Sequence, residues 1–80
     1  DASLLIDKKY DVIIANINRN ILLEDMKTYA KCLEKDGILL LSGFYEDDLP
    51  IIDKEASKNN LKLHKTKTRN QWLSGHYKKQ

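Results

Sequence analysis

The sequence is short of nearly everything that holds a small domain together. Its 80 residues include one cysteine, Cys32, so no internal disulfide can form. A reducing, cytoplasmic setting is the expectation. His64 and His76 lie far from each other and from Cys32, which gives no zinc-ligand spacing, and no metal is expected. There are three glycines, none in a phosphate-cradling loop, and a single proline, Pro50. No apolar run approaches the roughly 20 residues of a membrane span, and no basic-then-apolar leader opens the chain, so no membrane partner is expected. Disorder is excluded by the opposite balance: 41% hydrophobic residues are too many for a chain that stays unfolded. A chain of this size buries only roughly 60% of its unfolded surface, so its stability depends on outside help. The chain opens on Asp1. The expectation is a single truncated domain over 1–80, cut from something longer.

Charge is plentiful but divided. Residues 1–50 carry six basic against ten acidic groups, a balance of −4, whereas residues 51–80 carry eight against two, a balance of +6. A division of this kind suits a polyanion-binding face or a solvated lysine-rich edge that discourages strand-to-strand aggregation. The basic residues are spread along the chain rather than gathered in a run, which favours the edge.

The hydropathy pattern predicts alternating strands and helices. Tyr10-Asp11-Val12-Ile13-Ile14-Ala15-Asn16-Ile17 is short, nearly continuously apolar and β-branched, the pattern of a parallel-sheet strand covered on both faces. Leu4-Leu5-Ile6 before it is either a further element or a connection. A polar cluster, Asn16 to Asn20, supplies turn and capping residues. Leu22, Met26, Tyr29, Ala30 and Leu33 then recur at helical spacing within a helix from Ile21 to about Lys35. Glu24 and Asp25 sit near its positive end, Lys31 and Lys35 near its negative end, and Gly37 provides a left-handed stop. Ile38-Leu39-Leu40-Leu41-Ser42-Gly43-Phe44 reads as a second buried strand, completing a βαβ unit. Pro50 fits the first turn of a second helix, with Leu49, Ile52 and Ala56 as its apolar stripe and Asn59-Asn60 as its end. Leu61 to Lys67 alternates like a strand. A turn at Asn70-Gln71 leads to an antiparallel return, Trp72 to Tyr77, weakened by Gly75, and Lys78-Lys79-Gln80 reads as a frayed tail. The implied architecture is α/β, in the order β-α-β-α-β-β.

In open α/β sheets ligands bind beyond the carboxyl ends of the parallel strands. Those ends are Asn16-Ile17-Asn18 and Ser42-Gly43-Phe44-Tyr45. Asn16 presents either an amide to a cleft or a turn side chain bonded to its own backbone. Gly43 permits close approach of a ligand or simply ends a strand, and Phe44 and Tyr45 wall a pocket or pack. Nucleophilic catalysis has little support. Cys32 lies mid-helix as a small hydrophobe, and neither Ser42 nor Ser74 sits in a nucleophile elbow. His64 reads as solvated among lysines, and Asp47-Asp48 as a helix start rather than an acid pair. No catalytic residue can be assigned from the residues alone.

Three segments in order carry a resemblance. The Tyr10–Ile17 run with its Ala-Asn-Ile, the helix ending Leu33-Glu34-Lys35-Asp36-Gly37, and the Leu41-Ser42-Gly43 strand resemble the C-terminal half of the class I S-adenosylmethionine-dependent methyltransferases. Within that class the chain resembles the PrmA-type enzymes, which methylate large-subunit ribosomal protein eleven, and Trp72 matches their final-strand tryptophan. The resemblance runs from about Tyr10 to Tyr77. It implies a Rossmann-like seven-stranded sheet, of which this chain supplies strands four to seven. It implies S-adenosylmethionine as cofactor, a large-subunit ribosomal protein as substrate, and the N-terminal remainder of the same chain as a partner. Asn16 is then cofactor-binding, and Asn16, Ile17, Gly43 and Phe44 line the substrate side. Such an enzyme holds a neutral amine in line with the sulfonium methyl, so positioning supplies most of the rate. The Asp-x-Gly-x-Gly donor loop and the ribose-binding acid of the class do not occur in these 80 residues. Asp36-Gly37 stands where the family has Gly-Gly, and Asn16-Ile17-Asn18-Arg19 lacks the Asn-Pro-Pro-Tyr of glutamine and adenine methyltransferases. The competing readings are a small basic nucleic-acid-binding module, with Trp72 and Tyr77 as stacking residues, and an interaction domain without chemistry.

Overall fold

The computed structural model describes residues 9–16 and 18–80. The Leu4-Leu5-Ile6 segment and Ile17 therefore lie outside the described residues. The elements run β1 (Tyr10–Asn16), α1 (Arg19–Cys32), β2 (Leu33–Tyr45), a single 3₁₀ turn (Glu46–Asp48), α2 (Leu49–Lys58), β3 (Leu61–Arg69) and β4 (Trp72–Lys79). The sheet order among them is β1-β2-β4-β3. β1 and β2 pair in parallel across the α1 crossover, with Ile13 opposite Leu39 and Asn16 opposite Ser42. β4 runs antiparallel to both of its neighbours, β2 and β3. The expected β-α-β-α-β-β order and the antiparallel return are both present.

Side-chain alternation decides where the core lies. Ile13, Ala15, Leu39, Leu41, Leu73 and Tyr77 share one sheet face and are buried with Leu22, Met26 and Tyr29 of α1 and with Ile52 and Ala56 of α2. Both helices thus cover the same face. The opposite face is bare: Ile14 is 73% exposed and Val12 48%. The first strand's pattern suits cover on both sides, and the described residues provide helices for one side only. An open hollow of about 420 Å³ lies on that bare face, floored by Ile14, Leu40 and Ser42 and flanked by Lys65, Lys67 and His76.

Several local expectations shift. Helix α1 starts at Arg19, where the Asn18 side chain accepts a hydrogen bond from the Ile21 N–H at 3.1 Å. Glu24 and Asp25 consequently fall beyond the first turn, which holds no acidic residue. The helix ends at Cys32, three residues early, because Leu33 leaves it to pair with Tyr10 as the start of β2. Lys31 alone remains in the last turn, and Lys35 lies in the strand. The left-handed residue is Asp36, at φ 67°, rather than Gly37. Gly37 is needed for a different reason: a Cβ there would sit 2.8 Å from the Glu34 carbonyl and 3.2 Å from that of Asp11.

Helix α2 has Pro50 in its first turn, as its sequence requires, and ends at Asn59, with Asn60 at φ 61°. Asn70 and Gln71 both take positive φ, 50° and 74°, which gives the two-residue turn whose twist matches a hairpin. The tail is not frayed. Lys79 belongs to β4 and its ammonium donates to the Ala30 carbonyl, while the Gln80 N–H donates to the Asn60 carbonyl at 2.8 Å. β4 also stays paired through Gly75, which faces Leu41 on one side and Thr66 on the other. Tyr77, fully buried, donates its hydroxyl to Asp53 at 3.3 Å. Burial first, and then the Asp53 charge and hydrogen bond, push its phenol well above the ordinary tyrosine range.

Candidate active site

The parallel pair fixes the place where chemistry can occur. β1 and β2 end side by side, and the chain turns away into α1 from one and into the 3₁₀ turn and α2 from the other. Between the two exits lies a cleft of about 310 Å³. Asn18, Arg19 and Asn20 line it from the β1 side, and Gly43, Phe44 and Tyr45 from the β2 side. Trp72, at the start of β4, and Asp48, at the end of the 3₁₀ turn, complete its rim.

Gly43 shapes the β2 side. The pairing of β2 with β4 slips between Ser42 and Phe44, a β-bulge, and Gly43 adopts φ 91° within it. That backbone conformation is strained for any residue with a side chain, so glycine is required here by geometry. The bulge turns Phe44 into the core, where it is 1% exposed, and leaves Tyr45 half in solvent. Tyr45 stacks on Trp72 with ring centroids 4.4 Å apart and planes 21° apart.

Asp48 ties the two sides together. Its Oδ1 accepts from Arg19 Nη1 at 3.1 Å, and its Oδ2 accepts from the Tyr45 N–H at 3.2 Å. The Asp48 side chain is 19% exposed and that of Arg19 41%. A partly exposed pair of this kind contributes about 1 kcal/mol or less to stability.

The residues singled out from the sequence are distributed as follows. Asn16 ends β1, exposed and level with Ser42. Gly43 and Phe44 meet at the cleft, and Ile17 lies outside the described residues. Cys32 is buried in the core among hydrophobic side chains. His64 and His76 approach to 6.0 Å between ring centroids, on the far side of the sheet from the helices for His76. Among the described residues no group of three or more His, Cys, Asp or Glu side chains is placed to hold a metal ion, and no helix is long and apolar enough to cross a membrane. The stacking role considered for Tyr77 is incompatible with its complete burial. Sequence reasoning missed the Arg19–Asp48 pair and the Tyr45–Trp72 stack, each formed between residues far apart in the chain with no local pattern to mark them.

A parallel pair extended by an antiparallel hairpin, with a cleft at the carboxyl ends of the parallel strands, is a Rossmann-like arrangement. Solved methyltransferases share it. The ribosomal protein L11 methylase of Lactobacillus delbrueckii subsp. bulgaricus superposes with TM-score 0.86 at 28% identity, covering 94% of this chain and 40% of that one. The M1.HpyAVI–SAM complex has the same fold, with TM-score 0.80 at 18% identity over all of this chain and 52% of that one. The fold class is that of the class I methyltransferases. More particularly, the family model for ribosomal protein L11 methyltransferase (PrmA) matches residues 1–80. The ribosomal protein L11 methyltransferase of Bacteroides thetaiotaomicron is 53% identical over 75 residues, 92% of this chain and 27% of the relative. This chain therefore belongs to the ribosomal protein L11 methyltransferase family. It spans about a quarter of the length of the curated relatives it matches.

Proposed function

We propose that residues 1–80 form the C-terminal part of the catalytic domain of a cytoplasmic protein methyltransferase, which transfers methyl groups from S-adenosylmethionine to amino groups of ribosomal protein L11. The observation that carries this reading is the family match over the whole chain. The exposed Val12 and Ile14 on the parallel β1–β2 pair support the placement within a larger domain, since parallel pairs are characteristically covered on both faces.

The residues present fit one side of a cofactor and acceptor site. Asn16 offers an exposed amide at the carboxyl end of β1, suited to the cofactor side. Gly43 brings bare backbone to the cleft, and the family resemblance assigns Phe44 and Ile17 to the acceptor side. S-adenosylmethionine, when bound, supplies an electrophilic methyl group on a sulfonium. The work left to this chain is to orient the acceptor amine and to keep water away from it, which the half-exposed Tyr45 stacked on Trp72 is suited to do. The donor-binding loop has no counterpart in these 80 residues, so the isolated chain is expected to bind the cofactor weakly or not at all.

The test is to incubate the full-length protein with ribosomal protein L11 and labelled S-adenosylmethionine, and to map the label by mass spectrometry. Label on L11 amino groups is the expected result. Absence of label from L11, with the cofactor bound, overturns the reading. Tight cofactor-induced shifts around Asn16 and Gly43 in the isolated 80 residues overturn the assignment of the donor site to the rest of the domain.

A further inference from the structure

The Arg19–Asp48 pair joins the start of α1 to the end of the 3₁₀ turn across the cleft. β1 ends at Asn16 and the chain resumes regular structure at Arg19, while β2 ends at Tyr45 and the chain turns through Glu46–Asp48. Asp48 Oδ1 accepts from the Arg19 guanidinium across the cleft, while its Oδ2 accepts from the Tyr45 N–H and so caps the 3₁₀ turn that Asp48 ends. The Arg19 charge is not explained by the helix it sits on. Arg19 is the first residue of α1, where the helix dipole disfavours a cation, and no acidic residue offsets it in that turn. Asp48 precedes α2 at the N-cap position, yet its side chain makes no capping hydrogen bond there. One of its oxygens reaches across the cleft to Arg19, and the other caps the 3₁₀ turn at Tyr45.

We propose that Arg19 and Asp48 are positioning residues for methyl transfer: together they set the distance between the N-terminus of α1 and the wall formed by Tyr45 and Trp72. The inference rests on the methyltransferase reading given above. Tyr45 is held from two directions, by the Asp48 carboxylate on its N–H and by the Trp72 ring on its own, so its half-exposed ring presents a fixed surface to the acceptor. Releasing the carboxylate leaves the two loops free to move relative to each other. Displacements of about 1 Å at a transfer site lower rates by up to about 100-fold. A loss of about tenfold is expected here, because the Tyr45–Trp72 stack remains.

The experiment uses the full-length protein with ribosomal protein L11 as acceptor and compares Arg19→Gln, Asp48→Asn and the double variant with the wild type. Arg19 is sufficiently exposed for its variant to fold. Each single variant is expected to lower kcat about tenfold while cofactor Kd, read by calorimetry, stays within twofold. The double variant is expected to be no worse than either single one, since the two residues act as one unit. Asp53→Asn serves as the stability control: it weakens the Tyr77 contact on α2, away from the cleft, and lowers Tm without lowering kcat. A kcat for Arg19→Gln within twofold of wild type overturns the proposal. So does a multiplicative loss in the double variant, or a fall in kcat for Asp53→Asn matching its fall in Tm. A wild-type protein that binds cofactor but labels no L11 overturns the methyltransferase reading, and this proposal with it.

Discussion

Two adjacent isoleucines on β1 separate what these residues bury from what the whole protein buries. Ile13 is 8% exposed, against the helices, whereas Ile14 is 73% exposed on the bare face. Fully burying such a side chain is worth about 1.5–3 kcal/mol. With about a quarter of Ile14 covered, the described residues account for well under ~1 kcal/mol of its burial. If the remainder of the catalytic domain packs on this face, Ile14→Ala in the full-length protein costs about 2–4 kcal/mol, the same as Ile13→Ala, because each then leaves a cavity in a closed core. Ile51, 47% exposed on α2, is the control, and Ile51→Ala is expected to cost under ~1 kcal/mol. Urea unfolding of the three full-length variants measures this, with the shift in midpoint at unchanged slope giving the loss. A midpoint for Ile14→Ala that matches Ile51→Ala and not Ile13→Ala refutes the reasoning, and the open face is then a true surface.

Three further outcomes are expected. Gly37→Ala forces a Cβ to within 2.8 Å of a backbone carbonyl and costs about 1–3 kcal/mol, whereas Asp36→Gly relieves a left-handed residue and is neutral or stabilising; thermal melts of both variants check the contrast. Asn18→Ala removes the cap of α1 and costs about 1 kcal/mol, read from the urea midpoint. Tyr77 has a folded pKa raised above its unfolded value of 10.0, so its contribution is complete below about pH 10 and is lost as pH rises beyond that, at up to ~1.4 kcal/mol per pH unit. Urea midpoints taken from about pH 9 to about pH 11 are expected to fall less steeply for Tyr77→Phe than for wild type, and equal slopes contradict this.

The periodicity of the apolar residues located both helices and the four described strands, although β3 buries only Leu61 and the 3₁₀ turn carries no such signal. It misplaced the end of α1 because Leu33 continues the helical spacing of Leu22, Met26 and Tyr29 although its backbone pairs with Tyr10. Composition could not report that pairing, which is set by a partner more than 20 positions away. The first strand was read as covered on both faces, and the described residues cover one. Val12 and Ile14 match burial that the described residues do not supply. Gly43 was identifiable as a special position at a strand end, but the bulge and the positive φ that require it depend on the register with β4. Arg19 and Asp48 were invisible as a pair, since an arginine after a turn and an aspartate before a proline helix each have an adequate local explanation.

The sheet order has a consequence for how this chain is made. β3 pairs with β4 alone, yet the chain lays down β3 first. On an emerging polypeptide β1, α1 and β2 can close their crossover as soon as they are out. β3 then waits without a partner until Trp72–Lys79 follows and slots between it and β2. During that interval two strand edges are open at once, and the lysines at 62, 65 and 67 keep one of them charged. A stop codon just before Trp72 therefore removes eight strand residues and strands nine more, so the fold tolerates truncation at this end far less than its short final strand suggests.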